Sequence, residues 1–456
     1  MKINLSLITL ALAGVASVLH CISFYTSVEI TPVYLTASRM LVWVGFTVYA
    51  FRKKSLTTWI LASMIYGTEI GLHFPVFAQN LQVLSKIFLK LIKTVIAPIL
   101  FSTLVVGIAG HSDIRQVGRM GWKSLLYFEL VTTVALVIGV VAINLTEAGK
   151  GIELPANYDQ ELPETAPQTW VDMVLHIFPE NIVKSMFYGD VLPIVVFSVL
   201  FGISLALVRE DRRRAMLEFA DGLAETMFKF TKIIMYFAPI GVGAAIAVTV
   251  GHLGIGVLAS LIKLLATLYG ALLVFILGVL LPIALLVKVP VRKFIKAITE
   301  PASIAFATTA SEAALPKALE NMQKLGVPGK IASFVLPTGY TFNLDGSTLY
   351  LSLASIFTAQ AAGIELSFAE QALMVFSLML TSKGIAGVPR ASLVILLGTA
   401  ASFGLPLWPI MAILGIDELM DMARTAVNLI GNCLATVVIA RWEGEFVEAA
   451  DDVDYN

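Results

Sequence analysis

Residues 417–440 read DELMDMARTAVNLIGNCLATVVIA, and the rest of the chain is read outward from them. The second half is apolar enough to sit in lipid. The first two-thirds carry Asp417, Asp421, Arg424, Thr425, Asn428 and Asn432. At roughly 100° per residue these six fall within about 60° of one line along a helix. Leu419, Met420, Met422, Ala423 and Val427 take the other face. A charge at mid-membrane costs several kcal/mol unless it is paired or meets water, so ionisable residues at that depth point to function. Two readings stand. One is a structural ion pair between Asp421 and Arg424 at i,i+3; the other is a wall that binds a charged solute. The hydroxyl and amide groups on the same stripe favour the wall, since a bare ion pair has no use for them.

Composition places this helix in a membrane protein. Of 456 residues 58% are hydrophobic and 14% charged, with a mean hydropathy of +0.86. A soluble domain carries about a quarter charged residues. Apolar stretches of spanning length recur from end to end, so the expected fold class is an all-α polytopic membrane protein. The net charge of −1 argues against nucleic-acid binding. Cys21 and Cys433 lack partners at disulfide or metal spacing, and His20, His73, His111, His176 and His252 are scattered. No HExxH, CxxC, phosphate-binding loop or GxSxG occurs, which leaves enzymatic chemistry without a footing and calls for no cofactor.

Residues 4–26 and 33–51 form two apolar segments before the basic run Arg52-Lys53-Lys54. The first could pass for a signal peptide, but without a following cleavage site and soluble domain it reads as a retained span. Further spans fall at 57–76, 86–110, 122–146, 190–208, 225–250 and 256–287. Basic connections (Arg115/Arg119/Lys123, Arg209/Arg212/Arg213/Arg214 and Lys288/Arg292/Lys293/Lys296) contrast with the acidic, Pro-rich loop 147–182. The positive-inside rule then puts both chain ends in the cytoplasm of a multi-pass protein of the cytoplasmic (inner) membrane. Glu129 lies mid-span with no basic residue within a helical turn. Three readings are open for it: a protonated buried carboxyl, a wall of a watery cavity, or the partner of a distant arginine. Glu69, nearer a span end, shares this ambiguity.

From residue 295 the pattern changes. Segments 297–325 and 368–403 are long enough to enter the membrane but are broken by AFATTASEAALP (305–316) and TSKGIAGVPRAS (381–392). Interrupted apolar segments mark the substrate site of many transporters, because broken backbone at that depth offers free N–H and C=O groups. Each is followed by a full span, 330–362 with Asn343-Leu-Asp-Gly-Ser347 and 405–440 with the polar stripe. Asp-Gly ordinarily marks a surface turn. Flanked by apolar sequence, it implies an unwound helix instead.

TASEAALP, NLDGSTLY, SKGIAGVP and DMARTAVNLIGN, in this order and spacing, resemble the glutamate transporter family, the dicarboxylate/amino acid:cation symporters. The resemblance covers residues 57–443 and is nearest the bacterial proton/glutamate-aspartate branch. It implies eight spans, two re-entrant helical hairpins, a homotrimer, lipid contact, inverted repeats and an elevator-like movement. Residues 1–55 then form an extra N-terminal hairpin of two spans. Residues 56–290 hold the scaffold with parts of the transport domain, 291–443 the transport core, and 444–456 an acidic tail.

Residue by residue, the resemblance implies that Asp421 holds the amino group of an amino-acid substrate. C4-dicarboxylate carriers of the family lack an acid there. Arg424 matches the position that takes the side-chain carboxylate, a task suited to its fixed fork of donors. Thr425 and Ser347 assist at that end, and Asn428 with Ser311 holds the α-carboxylate. Gly387, Val388 and Ser392 belong to the second hairpin, the external lid. Glutamate or aspartate satisfies this set.

Coupling residues follow from the departures. Sodium-driven members read Asn-Met-Asp-Gly-Thr where this chain has Asn343-Leu344-Asp345-Gly346-Ser347, and carry a carboxylate at Asn432. Fewer hard, charged oxygens suit sodium less well. Glu129 falls beside Thr132 and Thr133, in the part of the third span that borders the family's sodium sites. With Gly339, Thr341, Asn343, Asp345 and Asn432 these form the expected coupling locus. The coupling ion is then H+; sodium at Asn343 and Asp345 is the alternative. The first hairpin has fewer serines than usual, and the family's extra arginine is replaced by Thr309 and Met422. Arg390 either supplies that charge or meets lipid headgroups.

Overall fold

The computed structural model of the chain describes residues 31–53, 55–109, 114–152, 178–188, 191–254, 256–384 and 391–448, with Leu175 and a few residues before 31. Among these, helices are the only regular structure. Four are long and apolar enough to cross a membrane: Val33–Lys53, Met120–Thr146, Gly256–Leu286 and Asp417–Glu443. A fifth is counted if Glu210–Met235 and Ala238–Leu253 are taken as one broken span. The expected span at 225–250 is divided there, because Pro239 in the first turn of the second helix has no N–H with which to continue the first. The segment 4–26 lies largely outside the described residues.

The chain groups into two compact units, one of Met1–Leu89 with Ile234–Ile255 and one of Lys90–Ile233 with Gly256–Asn456. In the first, helix Leu56–His73 packs along Ala238–Leu253. A Cβ at Gly67 would strike the carbonyl of Gly243, and one at Gly71 would lie 2.7 Å from that of Ala247. Small residues one turn apart thus let two apolar helices touch backbone to backbone, the usual device where water cannot drive association. Glu69 is paired here with Arg39 at 3.1 Å and with His73 at 3.2 Å. That accounts for its place in an apolar helix.

The second unit carries the polar segments on nine helices: α1 (Ile114–Thr146), α2 (Val291–Thr308), α3 (Leu315–Leu325), α4 (Gly329–Phe342), α5 (Asp345–Ala361), α6 (Phe368–Thr381), α7 (Ala391–Ser402), α8 (Trp408–Leu414) and α9 (Asp417–Glu443). Helices α2 and α3 form an antiparallel hairpin. Lys317 pairs with Glu300 at 3.2 Å, and the Asn321 amide donates to the Ala297 carbonyl at 2.8 Å. Contacts that advance on one strand as they retreat on the other require that direction. The hairpin turns at Thr309, whose φ of 52° ends α2, and continues through one tight turn, Ser311–Ala314.

The full spans foreseen at 330–362 and 405–440 are both broken. Residues 330–362 divide at Asn343 and Leu344, whose ψ values of 65° and 67° are non-helical. Unwinding is therefore confined to those two residues, while Asp345-Gly346-Ser347 opens α5. Residues 405–440 break at Gly415-Ile416, so the polar stripe begins its own helix at Asp417.

Helix α5 runs along α1, where Ser352 Oγ donates to the Leu136 carbonyl at 2.8 Å. Helix α9 packs against α1, α2, α4 and α5, and 83% of its apolar window is buried. Such coverage explains how one helix can be both polar and membrane-spanning: protein, not lipid, faces its charges.

Candidate functional site

The stripe is sealed inside the second unit. Asp417, Asp421, Arg424, Thr425, Asn428 and Asn432 are all buried, Arg424 completely. The Arg424 guanidinium donates through Nε to Asp421 Oδ1 at 2.8 Å and through Nη1 to Asp417 Oδ1 at 3.0 Å. It also lies over the Tyr350 ring of α5, 4.1 Å from the centroid. Two carboxylates one and two turns away on the same helix, with an aromatic face beneath, hold a delocalised cation far better than a point charge. Thr425 Oγ1 adds a bond to Asp421 Oδ1 at 3.3 Å. The expected Asp421–Arg424 pair is thus present, and it is one part of a larger cluster. Asp417, seen in the stripe but given no role, and Tyr350 complete it.

One turn further on, Asn428 reaches across to the start of α5. Its Oδ1 accepts from the Ser347 backbone N–H at 3.1 Å, and its Nδ2 donates to Ser347 Oγ at 3.0 Å. The first N–H groups of any helix lack intrahelical partners, so a side chain from α9 caps α5. Ser311 is buried at the first hairpin's turn, and that turn packs on α9. Ser392 is buried at the start of α7. Gly387, Val388 and Arg390 lie outside the described residues.

A second polar centre forms where the α4–α5 break meets α9. Asn343, Asp345 and Asn432 are fully buried. Asn343 Nδ2 donates to Asp345 Oδ2 and to Asn432 Oδ1, each at 3.2 Å. Among the described residues, Asn343 Oδ1, Asp345 Oδ1 and Asn432 Nδ2 have no hydrogen-bond partner. Glycine makes the fit: a Cβ at Gly431 would strike Asp345 Oδ2, and one at Gly339 would strike Asn432 Oδ1. Thr341 is half-buried in the last turn of α4.

The third centre corrects the reading of Glu129. Its carboxylate pairs with Lys383 at 3.1 Å and is 43% exposed. A distant cation does hold it, as one of the three readings allowed, but that cation is a lysine from the tight turn Ser382–Gly384 at the end of α6 rather than an arginine. Lys383 also donates to Thr132 Oγ1 at 2.7 Å and to the Phe342 carbonyl at 3.3 Å. Thr133 is half-buried on the same turn as Thr132. Lys383 stood in the 381–392 cluster without being singled out. The one available signal was an unpaired lysine inside an apolar hairpin.

Among the described residues no group of three or more His, Cys, Asp or Glu side chains converges as a metal site. The geometry offers a buried cation flanked by two anions and, further along α9, two buried oxygens, Asn343 Oδ1 and Asp345 Oδ1, with no hydrogen-bond partner among the described residues.

Comparison with known proteins decides the family. The sequence profile of the sodium:dicarboxylate symporter family matches residues 56–442. The chain belongs to this family. The glutamate transporter resemblance read from the four motifs is thereby confirmed over nearly the same residues. The chain is 43% identical over 411 residues to the proton/glutamate-aspartate symporter of Escherichia coli K12, covering 86% of this chain and 94% of that protein. It is 42% identical over 407 residues to the proton/sodium-glutamate symport protein of Bacillus caldotenax, covering 87% and 96%. The C4-dicarboxylate transport protein of Bacillus subtilis is 36% identical over 402 residues, covering 87% and 95%. This symporter is a multi-pass membrane protein and not an enzyme.

Proposed function

We propose that this symporter imports glutamate or aspartate across the cytoplasmic membrane, coupled to protons, by elevator-type alternating access. The observation that carries the substrate assignment is the buried Asp417–Asp421–Arg424 cluster against the turn of the first hairpin. A zwitterion with an extra carboxylate can replace the internal contacts one for one: its ammonium goes to Asp421, its side-chain carboxylate to Arg424, with Thr425 and Ser347 beside it. Its α-carboxylate goes to Asn428 and Ser311, closed over by Gly387, Val388 and Ser392. A C4-dicarboxylate would leave Asp421 unanswered. That favours the amino acid, although a relative named for C4-dicarboxylates is 36% identical.

Coupling is assigned to Asp345 with Asn343, Asn432, Gly339 and Thr341, and to Glu129 with Thr132 and Thr133. A carboxylate that is dry and half-satisfied is expensive to keep charged, and a bound proton removes that cost. Sodium is the second reading. The partnerless Asn343 and Asp345 oxygens are ligands of the kind it uses. The remaining architecture follows the family: eight spans and two re-entrant hairpins, with residues 291–443 as transport core and 56–290 largely as scaffold. Assembly is as a homotrimer with both ends cytoplasmic, and residues 1–55 are an added pair of spans.

Proteoliposomes with proton and sodium gradients imposed separately test the reading. Uptake of acidic amino acid is expected under an inward proton gradient with sodium absent. Counterflow that stops when sodium is withdrawn would transfer the coupling to sodium, and failure to take up any acidic amino acid would remove the substrate assignment.

A further inference from the structure

The Lys383 ammonium sits in a ligand set that belongs to a free cation. Its three contacts are a carboxylate (Glu129, 3.1 Å), a hydroxyl (Thr132, 2.7 Å) and a backbone carbonyl (Phe342, 3.3 Å). An ammonium has three N–H donors, and three oxygens meet it here. Phe342 is the last residue of α4, so its carbonyl has no following helical turn to accept from. The C-terminal end of a 14-residue helix also carries partial negative charge. Carbonyls at the ends of interrupted helices are the groups with which membrane carriers hold small monovalent cations. The oxygens come from α1 and α4, while the cation arrives on a separate element, the tight turn Ser382–Gly384 that follows α6.

We propose that Lys383 is a built-in counter-cation: its ammonium fills a carboxylate–hydroxyl–carbonyl site between α1 and the end of α4 that would otherwise bind a free monovalent cation such as sodium. This extends the proton-coupled reading given above, with Asp345 as the carboxyl that takes the proton and Glu129 contributing by holding Lys383: a site already filled by the protein's own charge has no need of a dissolved ion. It also ties the end of α6, which leads into the second hairpin's interruption, to two other helices.

The test uses the full-length protein without substrate, so it does not depend on the substrate assignment. Thermal stability of wild type, Lys383→Met and Lys383→Arg is compared in equal concentrations of sodium chloride and potassium chloride. Lys383→Met is expected to gain a sodium-specific rise in melting temperature beyond any seen in wild type, because a ligand that binds only the folded state stabilises it. Lys383→Arg, which keeps a cation, is expected to respond as wild type does. Adding Thr132→Val to Lys383→Met is expected to erase the gain. Equal stability of Lys383→Met in both salts would overturn the proposal. Should that variant assemble only in sodium, the proposal is supported; failure to assemble in either salt would overturn it, since sodium could not then take the ammonium's place.

Discussion

The two ends of the polar face of α9 are both buried, yet they treat their polar atoms in opposite ways. At the Arg424 end, the guanidinium is paired with two carboxylates of its own helix and covered by a tyrosine ring. At the Asn432 end, three buried polar atoms on Asn343, Asp345 and Asn432 are left without partners. A charge cannot stay in a dry site without compensation, so the first end is a paired cluster, which under the proposed function the substrate must open and replace. The second end tolerates incomplete bonding because its groups are largely uncharged amides and its one carboxyl can take up a cation. On the function proposed above, the contrast would separate recognition from coupling along about two turns of one helix.

The most severe way to break the contrast is to remove the cation from the satisfied end. Arg424→Cys leaves Asp417 and Asp421 buried side by side. It is expected to reduce binding of acidic substrate by roughly 30-fold to several thousand-fold, the usual cost of about 2–5 kcal/mol for a lost buried charge pair. Competition against radiolabelled glutamate reads this directly. Retained glutamate affinity would mean that the carboxylate is gripped elsewhere. Small neutral amino acids, tested in the same assay, are the expected gain.

A smaller blow falls on the open end. Gly431→Ala places a methyl group against the Asp345 carboxylate. Overpacking of this kind costs about 1–3 kcal/mol. Gradient-driven accumulation is expected to fall about tenfold while exchange of bound substrate falls less. Equal losses in both assays would merge the two ends into one site.

The change that disturbs substrate binding least sharpens the comparison from outside α9. Glu129→Gln keeps the shape but removes the charge facing Lys383. Substrate exchange in proteoliposomes is expected to stay within about threefold of wild type, because a partly exposed ion pair contributes about 1 kcal/mol or less. Proton-driven net accumulation is expected to be lost. Unchanged accumulation would take Glu129 out of coupling and leave Asp345 alone.

Much of the site could be read from the chain because its spacing is local. Asp417, Asp421, Arg424, Thr425, Asn428 and Asn432 share a face for no reason beyond the helical repeat, and the structure keeps all six buried on α9. The break at Asn343-Leu344 was visible as polar residues stranded in apolar sequence. Its extent was not. Asp-Gly reads as a turn, but here Asp345 and Gly346 begin a helix whose third N–H is capped by Asn428 from 81 positions away. The breaks at Tyr236-Phe237 and Gly415-Ile416 were missed for a related reason: hydropathy continues across them, while backbone geometry does not.

Glu129 marks the boundary most sharply. That a carboxylate stands amid LLYFELVTTVALVIGVV is a fact of the sequence, and so is the need for something to answer it. Which group answers it is decided by the end of α6 arriving beside α1, with Lys383 bonding Thr132 across 251 positions. The amino-acid order by itself determined an apolar, helical chain, its broken segments, its family and the polar face of α9, because periodicity and hydropathy act within a few residues. Only the folded chain decided that Arg424 is closed between Asp417 and Asp421, that Asp345 keeps a bare oxygen and that Lys383 occupies three oxygens. Ion pairing and hydrogen bonding act over about 3 Å and are blind to distance along the chain.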